Sequence, residues 1–417
     1  MLTVTVKTFK ININQSLLYI VTNIFVSLVG FVRSFVFMRW LNMEDLGIIS
    51  LSLTLMQFLS FLQLGLFNGG FRLLCYENSE EKNNVNNLVY SYIVVISGIV
   101  FILYFISYLT GIDLVLSKNI LIVSLIGGLI MLLNNWLMNS LIALGKLLTI
   151  NILNLISVFI SLLFLPSVFY CGINAALFVT IIQPIIFAAI VIIKVPELRF
   201  SAFNFNINLV KKILSVGFIP FLSGIFFMIN LQVERWSIAK ILGTEALGNF
   251  YLVSLFNTLS LLIPNSINNI FFPKIIKSYN DKDIPLFKKI IKNNTIAFFT
   301  YNVLLVLGTS TLFENIVVLI FPNHIKNICY VYYYLPGIVM NSMTYVFTQI
   351  LNASLKLNLI LCIDLLTTIS FVVTIGIIYH YNHFSLESIC IVRSILYSIV
   401  FFVYFFYIIL RWKSIIK

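Results

Sequence analysis

Twelve apolar stretches set the limits on what this chain can become. A helix needs roughly 20 apolar residues to cross the hydrocarbon core of a bilayer. Residues 15–38, 46–70, 88–109, 118–143, 147–167, 173–194, 213–238, 245–267, 291–312, 328–351, 357–379 and 385–410 each meet that need. The longest connections are 71–87, 195–212 and 268–290. All carry charge, and none has the length of even a small domain. Only 10% of the 417 residues are charged, against about 25% in an ordinary soluble domain. So few charges cannot cover a water-exposed surface, which excludes a soluble globule and the several soluble domains that length alone would suggest. The expectation is an all-α integral membrane protein with twelve transmembrane helices. No small-residue cleavage site follows the first stretch, so it reads as a retained span and not as a signal peptide.

The formal net charge is +12. In a soluble protein that excess would suggest nucleic acid. Here it is first an orientation signal, because cytoplasmic loops collect Lys and Arg. With the N-terminus inside, nineteen of the 26 basic residues fall on the cytoplasmic side, among them Lys7, Lys10, Lys82, Lys146, Lys211, Lys212, Lys274, Lys277, Lys413 and Lys417. Arg39, Lys118, Lys240 and Lys326 fall outside, and Arg33, Arg235 and Arg393 lie within spans. Both termini are then cytoplasmic, and no nucleic-acid partner is needed. Segments 204–214 and 274–292 are amphipathic. They are expected at the membrane interface, with Ile275, Ile276, Phe287, Ile290 and Ile291 of the second in lipid and the lysines near anionic headgroups.

Cys75, Cys171, Cys329, Cys362 and Cys390 are scattered. They form no C-x-x-C pair, which argues against a metal or disulfide framework and for buried helical thiols. His324, His380 and His383 read as exposed boundary residues. No cofactor motif is present. The absence of a G-x-x-x-x-G-K-[ST] loop argues against ATP hydrolysis by this chain.

The chain repeats itself. LNMEDLGIISL at 41–51 aligns with LGTEALGNFYL at 242–252, matching Leu41, Glu44, Leu46, Gly47 and Leu51 to Leu242, Glu245, Leu247, Gly248 and Leu252. A weaker match sets LIALGKL at 141–147 on LNASLKL at 351–357. Six spans per copy preserve orientation, so the halves are expected to be parallel repeats about an axis along the membrane normal. The expected domains are an N-lobe at 1–194, a cytoplasmic linker at 195–212 and a C-lobe at 213–417.

The Leu-x-x-Glu-x-Leu-Gly turn, the Lys-rich loop after Phe272-Pro273-Lys274 and the Ala-x-Gly-Lys turn at Ala143–Lys146 resemble O-antigen and related lipid-linked oligosaccharide flippases (Wzx-type) of the multidrug/oligosaccharidyl-lipid/polysaccharide exporter superfamily. The resemblance implies a V-shaped bundle of two six-helix lobes. It implies a transporter and not an enzyme, in the bacterial inner membrane. Its substrate would be an undecaprenyl-diphosphate-linked oligosaccharide repeat unit moved from the cytoplasmic to the outer leaflet by alternating access. It also implies membrane lipids, a polysaccharide polymerase and chain-length machinery as partners.

Charges inside spans are expensive and mark function or a helix-fastening pair. The repeat register sets Arg33 on Glu234 and Ser34 on Arg235, near the outer end of the first helix of each half. A guanidinium fork suits a diphosphate, so Arg33, Arg235 and Arg393 are expected to bind substrate, with Asn139 and Trp136 for the glycan. Glu234 and Asp364 are expected to gate or to couple to protons or sodium. Beside this stand purely structural pairs, Arg33 with Glu234 and Asp364 with Arg393, and Arg33 reaching to the outer interface. Pro184, Pro220, Pro264 and Pro336 are expected to bend their helices.

Two other functions stay open on the sequence. A multidrug cation exporter of the same superfamily would favour cavity carboxylates where the first span has Arg33. A glycan polymerase or ligase would need a large outer loop, and the longest here, 313–327, offers only Glu314, His324 and Lys326.

Overall fold

The computed structural model describes residues 13–76, 79–110, 116–354 and 356–416. Lys7, Lys10 and Lys417, and the side chains of Cys75, Pro220, Pro273, Lys277 and Lys413, lie outside the described residues. Among the described residues the chain is helical, with no strand. The first half runs α1 (Ile13–Trp40), α2 (Met43–Ser60), α3 (Leu66–Tyr76), α4 (Ser79–Thr110), α5 (Lys118–Ala143), α6 (Leu147–Leu163) and α7 (Ser167–Lys194). The second runs α8 (Ile207–Ile241), α9 (Thr244–Ser260), α10 (Leu262–Asn280), α11 (Ile284–Ile320), α12 (Ile328–Ala353), α13 (Leu357–His380) and α14 (Leu386–Ile416).

Counting α2 with α3 and α9 with α10 as single passages gives the twelve expected passages. Seven described helices are long and apolar enough to cross a membrane on length and composition alone. Their outer surfaces suit lipid. Ile102, Leu103, Phe105 and Leu109 of α4 and Leu304, Leu307 and Leu319 of α11 all stand exposed.

The two breaks fall at the same place in the repeat register, though the second is a single residue, Leu261, across which helical bonds continue. The register that sets Gly47 on Gly248 also sets Ser60 on Leu261, where the second passage of each half is interrupted. In the first half the turn at 61–65 uses left-handed backbone at Leu64 and Gly65. An interrupted helix leaves carbonyls without amide partners, which is costly away from water. A tyrosine hydroxyl from the third passage serves each break: Tyr92 Oη donates to the Leu62 carbonyl, and Tyr301 Oη to the Ser260 carbonyl at 2.5 Å.

The weaker repeat match is also real geometry. The Lys146 amide bonds the Leu141 carbonyl and the Lys356 amide the Leu351 carbonyl, both at 2.9 Å. The two lysines have nearly the same backbone angles at the start of α6 and α13.

Helix starts follow local chemistry. Asn42 Oδ1 accepts from the Asp45 amide at 2.7 Å and caps α2. Asp283 caps α11 by accepting from the Leu286 amide at 3.0 Å, with Pro285 in the first turn. Pro264 stands four residues after Ser260, at the second break, and has no amide hydrogen to give the Ser260 carbonyl. Pro184 and Pro336 sit inside α7 and α12, and the one non-helical residue within α7 is Gly172.

The chain forms two compact units. Unit 1 comprises residues 1–33 and 55–221, and unit 2 comprises 34–54 and 222–417. The core of unit 1 gathers Phe67, Leu132, Trp136, Leu141, Phe187 and Ile213. That of unit 2 gathers Ile275, Phe287, Phe298, Leu351, Tyr404 and Ile408.

Three expectations change here. Ile275 and Phe287 are fully buried in protein, and Phe287 stacks on Trp412 of α14 with centroids 6.4 Å apart. The apolar stripe of 274–292 therefore packs on a neighbouring helix and not in lipid. His324 is buried and not exposed. Cys171, Cys329 and Cys362 are exposed, and only Cys390 of the described cysteines is buried.

The connection at 195–206 is held, not loose. Asn87 of α4 donates through Nδ2 to Ser201 Oγ at 2.8 Å and accepts from the Ser201 amide at 3.1 Å. Tyr90 Oη donates to the Leu198 carbonyl at 2.8 Å, and Ser91 Oγ accepts from the Asn204 amide at 2.9 Å.

Candidate functional site

The intramembrane charges divide between the units, and each set is built by the same helices of its own half.

In unit 2, α8 presents Asn230 and Glu234 one turn apart, so both lie on one face. Opposite them, α14 presents Arg393, which is 0% exposed. Its Nε and Nη2 donate to the two carboxylate oxygens of Glu234 at 3.4 and 3.2 Å. Nη2 also donates to the Asn230 carbonyl at 2.9 Å, and Nη1 to Asn230 Oδ1. The guanidinium carbon lies 3.7 Å from the centre of the Phe371 ring of α13 and 5.4 Å from that of Tyr397. One residue further on, half-buried Arg235 stands near Glu234, Tyr251 and Tyr334. It donates no hydrogen bond among the described residues.

The pair that forms is thus Arg393 with Glu234. The alternative of Asp364 with Arg393 is overturned, because Glu234 and Asn230 take the guanidinium. Asp364 lies elsewhere on α13, half-buried, and among the described residues its carboxylate makes no ion pair or hydrogen bond.

In unit 1, Arg33 is half-buried on α1 and lines a small cavity with Gly30, Ser161, Leu165, Val179 and Gln183. Ser161 and Leu165 belong to the α6 end and Val179 and Gln183 to α7. No acidic residue is among the described residues lining this cavity. The register that sets Leu141 on Leu351 also sets Gln183 on Arg393. The two halves therefore build one motif with different charges: Arg33 beside Gln183 in the first, Glu234 bonded to Arg393 in the second.

The remaining expected residues separate. Trp136 is 0% exposed, packs against Phe67 with centroids 5.5 Å apart and donates through Nε1 to Asn86 Oδ1 at 2.9 Å. It has no open face here and lies in the core of unit 1. Arg393 is likewise enclosed, with its guanidinium on Glu234 and Asn230. Asn139 is half-buried on α5. Sequence reasoning missed Phe371, whereas Asn230 is one of the polar amides within spans that the sequence assigns mostly to hydrogen bonds between helices, as found here. Asn230 also stands one turn before Glu234; Phe371 carries no such signal.

A profile of the polysaccharide biosynthesis protein family matches residues 13–279. The match covers more than half of the chain, and the chain belongs to that family. Its fold is that of the exporter superfamily shared by multidrug and oligosaccharidyl-lipid transporters. It is similar to the lipid II flippase MurJ in an inward closed conformation, with a TM-score of 0.74 and 15% identity over 94% of this chain and 87% of that one. It is similar to a multidrug resistance MATE family transporter in an inward-facing conformation, with a TM-score of 0.70 and 14% identity over 94% and 95% of the chains. A superfamily transporter from Pyrococcus furiosus, described as having a binding pocket of reverse polarity, aligns with a TM-score of 0.59 and 14% identity over 97% and 96%. Comparison with curated proteins gives no match.

Proposed function

We propose that this chain is a flippase for undecaprenyl-diphosphate-linked oligosaccharide repeat units of a surface polysaccharide. It works by alternating access in the bacterial inner membrane, with both termini cytoplasmic. Arg33 carries the reading. A permanently charged fork on a membrane-spanning helix, lining a small cavity with a glutamine and a serine, favours an anion with several oxygens. The same charge disfavours the cationic substrates of a multidrug exporter. Arg235 supplies a second fork, and half-buried Asn139 an amide for sugar hydroxyls. Family membership and the likeness to a lipid II flippase support a lipid-linked glycan as cargo.

Asp364 is the carboxylate left for a coupling ion, either a proton or sodium. Polysaccharide polymerase and chain-length proteins are the partners such a flippase would serve. The decisive experiment replaces Arg33 by Ala and measures surface glycan and accumulated lipid-linked units at matched protein level. Loss of glycan with accumulation inside supports the reading, and full glycan display overturns it.

A further inference from the structure

Unit 2 contains a cage of oxygens with a cation that is covalently tied to the chain. Four acceptors on one face of α8 converge on Arg393: both carboxylate oxygens of Glu234, the Asn230 carbonyl and Asn230 Oδ1. The Phe371 ring closes a further side at 3.7 Å, and its π-face also attracts a cation. A helix-fastening salt bridge needs only the two carboxylate oxygens. Here an amide oxygen and a main-chain carbonyl are added, and every donor atom is a hard oxygen, the set that suits alkali and alkaline-earth cations.

We propose that Arg393 is a built-in counter-cation filling what would otherwise be a site for a dissociable monovalent cation. Arg393 balances the charge of Glu234 and fills the cage without any ion from solution. An ion gradient therefore has nothing to act on at Glu234, whatever the cargo is. Removing the guanidinium would leave four acceptors without the group that bonds them, and a buried carboxylate whose remaining cationic neighbour, Arg235, donates it no hydrogen bond among the described residues. A small cation is the species that can restore both charge and coordination, and its binding to the folded state alone would stabilise that state in proportion to its concentration.

The test compares melting temperatures of the purified full-length protein in sodium, potassium or N-methylglucamine chloride at equal ionic strength, and with low-millimolar guanidinium added. Wild type is expected to melt alike in all. Arg393→Ala is expected to melt well below wild type in N-methylglucamine and to recover several degrees with sodium or guanidinium. The double variant Glu234→Gln with Arg393→Ala, which has no buried charge, is expected to lose that response. Arg393→Met, which keeps packing against Phe371, is measured in parallel in case the alanine variant folds poorly. The proposal is overturned if neither single variant responds more than the double variant does, if neither gives folded protein in any salt, or if wild type shows a cation response that Arg393→Ala retains.

Discussion

Gly47 and Gly248 each rest on the backbone that opens the other's helix. A Cβ on Gly47 would stand 1.7 Å from the Thr244 carbonyl oxygen, and one on Gly248 would stand 1.7 Å from the Met43 carbonyl oxygen. Met43 and Thr244 are themselves repeat partners, so the contact between α2 and α9 is its own mirror in the repeat register. Small residues at helix contacts in membranes allow this kind of close backbone approach. The obstacle in each case is main chain, which cannot rotate aside. Gly47→Ala and Gly248→Ala are each expected to lower stability by about 1–3 kcal/mol, the usual range for overpacking. The double variant is expected to cost less than both singles added, because the first separates the helices for the second. Thermal melting in detergent checks both.

Trp136 distinguishes packing from substrate contact. Trp136→Ala is expected to destabilise by roughly 3–5 kcal/mol, as large-to-small core changes do, and to lower protein level. Trp136→Phe keeps the ring against Phe67 but leaves Asn86 Oδ1 without its donor, at about 1–3 kcal/mol. At matched protein level Trp136→Phe is expected to flip lipid-linked units at the wild-type rate. A large loss of flipping without loss of stability would return Trp136 to the substrate path.

The tyrosines at the two helix breaks should respond alike although they lie in different units. Tyr92→Phe and Tyr301→Phe each remove one hydroxyl donor from a carbonyl released by the break. Each is expected to cost about 1–3 kcal/mol, since the carbonyl then has no partner. Matching losses from two sites far apart in sequence would show that the breaks are equivalent devices. A neutral result at either would mean that another group serves that carbonyl.

What the sequence made legible follows from how each signal is encoded. Spans are written as unbroken apolar runs, so their number and approximate ends could be read directly. The outer-turn repeat could be read because Gly47 and Gly248 have no alternative where backbone meets backbone. Partners could not be read. Arg393 pairs with Glu234 across 159 positions, a choice set by helix rotation and depth that no local pattern records. The stripe at 274–292 was ambiguous for a related reason: its periodicity is the same whether the apolar side meets lipid or Trp412. That Trp136 and Arg393 are enclosed could not be read either, because polar and aromatic groups in spans serve burial and binding with the same atoms.

Asp364 tests ion coupling separately from the Glu234 cage. Replacing it with Asn removes the charge at nearly constant volume. If it carries a coupling ion, flipping in proteoliposomes by Asp364→Asn should no longer change when a proton or sodium gradient is imposed, while wild type responds to one of them. Wild-type transport that ignores both gradients would point instead to exchange driven by the concentration difference between leaflets.

His324 should make the protein sensitive to acid from a site outside the spans. It lies in the turn at Pro322–Asn327, fully enclosed, with its Nδ1 3.4 Å from Asn327 Nδ2 and its ring edge-on to Phe321. Burial disfavours the charged ring and lowers its pKa from 6.5 to about 4. The folded protein therefore keeps His324 neutral at pH 5, where the unfolded chain has already bound a proton. Between these two pKa values the unfolded state holds more protons, so stability falls as pH falls. The contribution is complete above the unfolded value and is lost progressively down to the folded one, by an amount on the order of 3 kcal/mol. Melting temperature measured from pH 7.5 to pH 4 should decline through this window in wild type. His324→Gln, which cannot take up a proton, should flatten that part of the curve even if it lowers stability at neutral pH. An unchanged acid slope in the variant would place the sensitivity at another group.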